Sequence, residues 1–313
     1  MNTALLFPGQ GEQQPGMLHA LPPHPAFSRT LAEISAVLGT DVRALDTAEA
    51  LRSNAATQLA LFAAAISTHR LLTELGVRAD YVAGHSVGAF AAAVACGALE
   101  LTDAARLVAL RGRRMEEAYP SGYGMGVVLG LDESTVARLA FAASTHAEPV
   151  YASNVNAPRQ ITVSGADAAV ERVLTAALAH GAFKARRLAV SVPAHCPLMR
   201  PVADALADAL AAVEMRRPAV PFAGNRTGRT LRTADAVRDD LVHGVALPVR
   251  WHEATSVLYE RGARLFVQTA PGDSLVRLAQ AMLPGVRTAS LRETSAEHIH
   301  DLALHREQLN KED

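Results

Sequence analysis

The chain has 313 residues, half of them hydrophobic and 19% charged, with a formal net charge of −1 and a sequence pI near 6.9. That balance describes a globular protein with apolar material for one large domain, or a large one plus a small one, and offers no electrostatic reason to expect nucleic acid or an anionic membrane as partner. No apolar run reaches the ~18–20 residues needed to cross a bilayer, and Met1–Phe7 lacks the basic start of a signal peptide. The two cysteines, Cys96 and Cys196, make neither a metal spacing nor a disulfide framework. The expectation is a cytoplasmic protein with reduced thiols and no bound metal.

In chain order, residues 4–7 read as a short buried strand ended by Pro8-Gly9-Gln10-Gly11, where two glycines flanking Gln10 leave bare amides open to a ligand. A helix over 26–38 is closed by Gly39, and 46–51 opens another short one. Residues 54–75 are apolar on most faces, which predicts a long, nearly buried helix. A strand over 81–83 runs into Gly84-His85-Ser86-Val87-Gly88 and an Ala-rich helix over 89–98; a further helix extends from Thr102 to Glu117. The pattern then changes: strands at 125–131, 150–155, 160–164 and 185–190 alternate with helices at 134–143 and 167–180. This β-α-β-β-α-β order is the ferredoxin-like split motif. It predicts a small inserted domain, 124–190, on a larger α/β core with a parallel sheet formed by 1–123 and 191–313. In the second half of the core, helices are expected at 197–213, 233–241 and 250–262, strands at 220–223 and 265–268, and a polar surface helix within 291–313.

The chemistry concentrates at the strand–turn–helix around Ser86. A Gly-x-Ser-x-Gly match carries weight only in that context, where the glycines permit a sharp turn and the helix N-terminus aims free N–H groups at whatever the serine attacks. The same context suits an α/β-hydrolase-like core. Among 12 histidines, His195 stands out because Pro193 and Pro197 direct the loop that carries it, whereas His85 is adjacent to the serine and points elsewhere, shaping the turn. Arg111 follows an apolar helix face and can form a bidentate pair with a substrate carboxylate; Arg113 and Arg114 read as solvated. Asp103, Asp132 and Asp167 each look like cap or turn residues, so a backbone carbonyl could orient the histidine in a Ser–His dyad. A plainer reading stays open on the same residues: a Gly-rich turn, a surface histidine and an arginine on a solvated face.

With these residues assembled, the chain resembles the malonyl-CoA:acyl-carrier-protein transacylase family from end to end. The motifs are Phe7-Pro8-Gly9-Gln10-Gly11-x-Gln13, Gly84-His85-Ser86-Val87-Gly88, Leu110-Arg111-Gly112-x-x-Met115, Asn154-x-Asn156-x-Pro158-x-Gln160 and Val192-Pro193-x-His195-Cys196, with Pro248-Val249-x-Trp251 and Pro271-Gly272 in support. The resemblance implies that Ser86 is the nucleophile, His195 its base, the amides of Gln10 and Val87 the oxyanion hole, and Arg111 the clamp for a malonyl carboxylate. It also implies a carbonyl near Gly244 orienting His195, where the family usually has Gln, and site-shaping roles for His85 and Asn156. No bound cofactor is implied; malonyl-CoA and the phosphopantetheine-type arm of an acyl carrier protein are substrates.

Within the family, residues 15–22, 119–125 and 187–193 look most like the acyltransferase (epsilon) subunit of malonate decarboxylase, whose partner is that enzyme's carrier subunit. Ala89 also replaces a Glu common in the fatty-acid enzymes. A malonyl transacylase of fatty-acid or polyketide synthesis is the alternative; a serine thioesterase or hydrolase, or a docking subunit that has kept only the fold, stands further back. Arg113, Arg114, Lys184, Arg186 and Arg187 are candidates for meeting an acidic carrier or CoA phosphates.

Overall fold

A computed structural model describes residues 2–309. Its first strand, β1 (Asn2–Phe7), sits at the centre of the larger sheet because its side chains are apolar on both faces. Leu5 and Phe7 enter one apolar cluster, while Ala4 and Leu6 enter another on the opposite face. Alternate residues of a strand point to opposite sides, so a strand covered by helices on both sides reads as a continuous hydrophobic run. β2 (Tyr81–Gly84) and β9 (Ala263–Gln268) flank β1 in parallel register, followed outward by β7 (Phe222–Ala223) and by the edge strand β10 (Arg287–Ser290). β8 (Thr230–Leu231) closes the other edge as an antiparallel partner of β7.

The long helix α2 (Asn54–Glu74) starts at Ser53, whose side chain accepts from the Ala56 N–H, and is buried on nearly every side. Its Ala-rich surface lets α1 (Pro25–Leu38), α3 (Gly88–Ala95) and α4 (Leu101–Ala118) pack against it closely. A Cβ at Gly112 would lie 2.5 Å from the Ala55 Cα, so α4 can reach this depth only with glycine there. That approach brings Arg111, beside Gly112, toward Gln58 of α2.

The smaller sheet has strand order β4-β5-β3-β6, built from β3 (Tyr123–Leu129), β4 (Val150–Ala157), β5 (Gln160–Ala166) and β6 (Lys184–Arg187), all antiparallel. α5 (Glu133–Ala143) and α6 (Asp167–Ala179) cover one face. The mixed α/β fold with a parallel sheet and a small antiparallel sheet is the one expected. β4 is stitched to the larger body at Val249: Val155 N–H donates to the Val249 carbonyl at 2.8 Å, and Val249 N–H to that of Ser153 at 2.9 Å. These bonds set the open face of the small sheet over the end of β2.

Several elements differ from the sequence reading. The helix expected at 46–51 is two 3₁₀ turns, Val42–Asp46 and Ala50–Arg52. The one expected at 197–213 is a 3₁₀ turn, Pro197–Met199, followed by α7 (Arg200–Ala211), with Pro201 in the first turn of the new helix. Two helices match expectation closely, α8 (Ala234–His243) and α9 (Trp251–Glu260). β8, β10 and α10 (Ser274–Met282) have no counterpart in that reading: the strands are very short, and α10 is nine residues. α11 (Ala296–Leu309) is not a mere surface helix, since Ala296, Ile299 and Ala303 are buried. The rest of that expected segment, residues 310–313, lies outside the described residues. No helix among the described residues is long and apolar enough to cross a membrane.

Candidate active site

The turn between β2 and α3 places Ser86 at φ 56°, a left-handed conformation rare for a residue with a side chain. The neighbouring glycines make the turn possible. A Cβ at Gly84 would lie 2.1 Å from the Gly88 carbonyl oxygen, and one at Gly88 would lie 2.2 Å from that of Phe7. Strand, turn and helix therefore touch backbone to backbone, which lifts Ser86 clear at the head of α3.

His195 meets it from a loop 109 residues away, with Nε2 at 2.7 Å from Ser86 Oγ. Its Nδ1 donates to the Gly244 carbonyl at 2.7 Å, and its backbone N–H to the Val245 carbonyl at 2.8 Å. A carbonyl can only accept, so Nδ1 carries the proton and Nε2 is left to accept from the serine hydroxyl. Burial first, and the Arg111 charge second, push the His195 pKa down to about 3, which keeps the ring neutral and its Nε2 free to accept. Among the described residues no carboxylate is bonded to the ring. Asp132 caps α5, Asp167 pairs with Arg187, and Asp103 pairs with Arg106.

Arg111 is 2% exposed. Its Nη2 donates to Ser86 Oγ at 3.2 Å and its Nη1 to Gln58 Oε1 at 2.5 Å. Gln58 in turn donates to Met115 Sδ at 3.3 Å. Among the described residues no Asp or Glu forms an ion pair with Arg111, and burial lowers its pKa to about 10. A buried cation without a counter-ion is costly and poised to take an anion.

The Gln10 and Val87 amides make no hydrogen bond to other described residues. Val87 follows the serine at the head of α3, and Gln10 lines a cleft of about 360 Å³ together with Ser86, His195 and Asn156. The cleft lies between the Ser86 turn and the small sheet, which lends it the apolar side chains Met125, Val127 and Leu129. His85 is half-buried in its wall: its Nε2 meets Asn156 Oδ1 at 3.0 Å and its ring stands edge-on to Trp251. Loss of solvent around the ring lowers its pKa. Of the surface cations, Arg186 borders the cleft, whereas Arg114 pairs with Glu117 and Arg187 with Asp167. The Cys196 thiol, next to His195 in sequence, is raised to about 12 by burial and is no competing nucleophile.

Sequence reasoning brought Ser86, His195, Arg111, Gln10, Val87, His85, Asn156 and Gly244 forward, and the fold gathers the side-chain members around one turn. It missed Gln58, which holds Arg111, and Asn225, which bonds the Gly84 carbonyl and the Ser86 N–H at the start of the turn. Gln58 is a long polar side chain directly before the apolar run Leu59–Ile66 of α2, a signal that could have flagged it. Asn225 has no local signal at all.

The profile of the acyl transferase domain family matches residues 4–300. The chain belongs to this family. It is 38% identical over 299 residues to the malonyl CoA-acyl carrier protein transacylase of Escherichia coli K12, covering 94% of this chain and 96% of that one. The transacylase of the same description from Bacillus subtilis 168 is 32% identical over 93% of each chain. Among solved structures, FabD from Acinetobacter baumannii superposes with a TM-score of 0.92 at 35% identity, covering 97% of this chain and 99% of that one. A malonyl-transacylase in complex with its type II polyketide acyl-carrier protein superposes with a TM-score of 0.90 at 37% identity, covering 98% and 100%.

Proposed function

We propose that this acyltransferase moves a malonyl group from malonyl-CoA to the phosphopantetheine thiol of an acyl carrier protein through an ester on Ser86. The observation that carries the reading is the buried Arg111 guanidinium, unpaired with any described carboxylate and 3.2 Å from Ser86 Oγ. A guanidinium beside the nucleophile offers a free carboxylate on the acyl chain a charge-assisted bond. His195 takes the proton as Ser86 Oγ attacks the thioester carbonyl, CoA thiolate leaves and is protonated, and the malonyl-Ser86 ester remains. The amides of Gln10 and Val87 hold the tetrahedral oxyanion, each donor worth about 3–4 kcal/mol in comparable sites. The carrier thiol, relieved of its proton by His195, then attacks the ester, and the proton returns to Ser86. Arg111 selects the diacid chain and keeps its ester turned from water.

The sequence reading placed this activity first in malonate decarboxylase. The transacylase and polyketide names of the relatives favour the alternative, malonyl transfer serving fatty-acid or polyketide synthesis. Mixing the protein with malonyl-CoA in the absence of carrier tests the reaction class. One equivalent of CoA is released in a burst, followed by a stall with Ser86 malonylated. Continuous release would make the protein a thioesterase, and absence of acyl-Ser86 would leave it a docking subunit.

A further inference from the structure

We infer that Asn225 and Asp240 are positioning residues that set the nucleophile and the base against each other, resting on the reading of Ser86 and His195 given above. Ser86 is held at φ 56°, a conformation that costs of order 1–3 kcal/mol unless its surroundings over-determine it. Asn225 supplies that constraint. Its Nδ2 donates to the Gly84 carbonyl at 2.7 Å, and its Oδ1 accepts the Ser86 N–H at 2.9 Å. One carboxamide thus brackets His85, fixing the two peptide groups that lead into the serine. Only a side chain with one donor and one acceptor can do so: a carboxylate would set an oxygen against the Gly84 carbonyl, and an apolar group would strand both partners.

Asn225 is itself anchored. Its N–H and that of Arg226 donate to the two oxygens of Asp240, each at 2.9 Å, and its carbonyl accepts the Arg250 N–H at 2.7 Å. Asn225 is buried, as is Asp240. Asp240 lies in the last turns of α8, and its own carbonyl accepts the Gly244 N–H at 2.8 Å where that helix ends. Gly244 and Val245 then present the carbonyls that take both His195 N–H donors. One residue therefore reaches Ser86 through its carboxylate and His195 through its backbone. A shift at Asp240 would move the two reacting side chains relative to each other without touching the cleft that receives the substrate.

The test uses the full chain as wild type, N225A and D240N, with two readouts. The first is the rate at which a small fluorophosphonate labels Ser86; there Ser86 Oγ forms the bond to phosphorus, fluoride leaves and His195 takes the proton. The second is kcat and KM for malonyl transfer. Displacement of a reacting group by about 1 Å costs roughly 100-fold, so folded N225A should label roughly 100-fold more slowly and lose kcat to match, with KM for malonyl-CoA little changed. D240N keeps one acceptor for the 225–226 amides and sets an NH₂ against the other, so it should show a smaller loss of the same kind. It carries the test if N225A does not fold. Labelling and kcat at wild-type values in the folded variants overturn the inference. Failure of the wild type to label at Ser86 would instead overturn the reading on which it rests.

Discussion

Arg111 and His195 are each taken out of water, and burial lowers the pKa of both. Arg111 is a buried cation whose protein partners are neutral, a serine and a glutamine. Replacing Arg111 by Ala should lower kcat/KM for malonyl transfer by roughly 100-fold or more, within the cost of truncating one side of a buried charge pair, while acetyl transfer is spared or rises. Equal losses for the two acyl groups would sink the clamp role. His195 is a buried neutral ring with its pKa held at about 3. Its cationic form is the disfavoured one, so the base stays available as pH falls. In stopped-flow acylation, kcat/KM should run flat from pH 7 to pH 5. An acid limb centred near 6.5, the value of an unperturbed histidine, would contradict that environment. Binding a malonyl carboxylate at Arg111 offsets the positive charge beside the ring, so the acid limb of kcat should lie at higher pH than that of kcat/KM.

At the scale of elements, α10 illustrates what a residue-by-residue reading passes over. Its first N–H groups have no intrahelical acceptors. Glu12, from the loop after β1, accepts from Ser274 at 2.9 Å and Asp273 at 3.3 Å, while Gln268 at the end of β9 accepts from Leu275 at 2.8 Å and Val276 at 3.2 Å. Glu12 thereby ties the loop that carries Gln10 to a helix 261 residues further along the chain. Replacing Glu12 by Ala should destabilise the protein by about 2 kcal/mol in urea unfolding, the sum of a lost cap and stranded amides. An unchanged midpoint would mean that water satisfies those amides. In sequence Glu12 was an unassigned position inside a motif, and α10 was missed. Its caps are supplied from two other elements, whereas the caps of α1 and α2, His24 and Ser53, stand immediately before their helices. The Ser86 turn was readable for the same reason, since the close contacts that demand its glycines fall within a few residues of one another or against β1.

Across the whole molecule, histidines whose rings are shielded from solvent link folding to acid. His195 is lowered to about 3 and His69, on α2 with Arg70 beside it, to about 4, in both cases chiefly by burial. Their folded pKa values lie below the unfolded value, so below about pH 6.5 the unfolded chain binds protons that the folded one refuses. The stability they confer is complete above that pH and is lost as pH falls toward 4. Glu12 and Asp240, raised by burial, act in the opposite sense at lower pH. A single-site comparison separates the contributions. The variant H69Q should flatten the dependence of unfolding free energy on pH between 6 and 5 by up to about 1.4 kcal/mol per pH unit, the free-energy equivalent of one pKa unit. A slope equal to that of the wild type would show that His69 is protonated in the fold.

The sequence by itself determined the alternation of strands and helices, the sharp turn at Ser86 and the class of chemistry its motifs imply. Those depend on periodicity, caps and close approaches encoded over short spans of chain. Only the tertiary structure decided which groups face the serine. Asn225 comes from 139 residues away, His195 from 109 and Arg111 from 25, and Arg111 is held there by Gln58 on a different helix. No local pattern records those meetings, because they are set by how closely α4 settles on α2 and by where α8 ends. The electrostatics of each group follow from the same packing: burial lowers the pKa of His195 and of Arg111, and Arg111 has no counter-ion among the described residues.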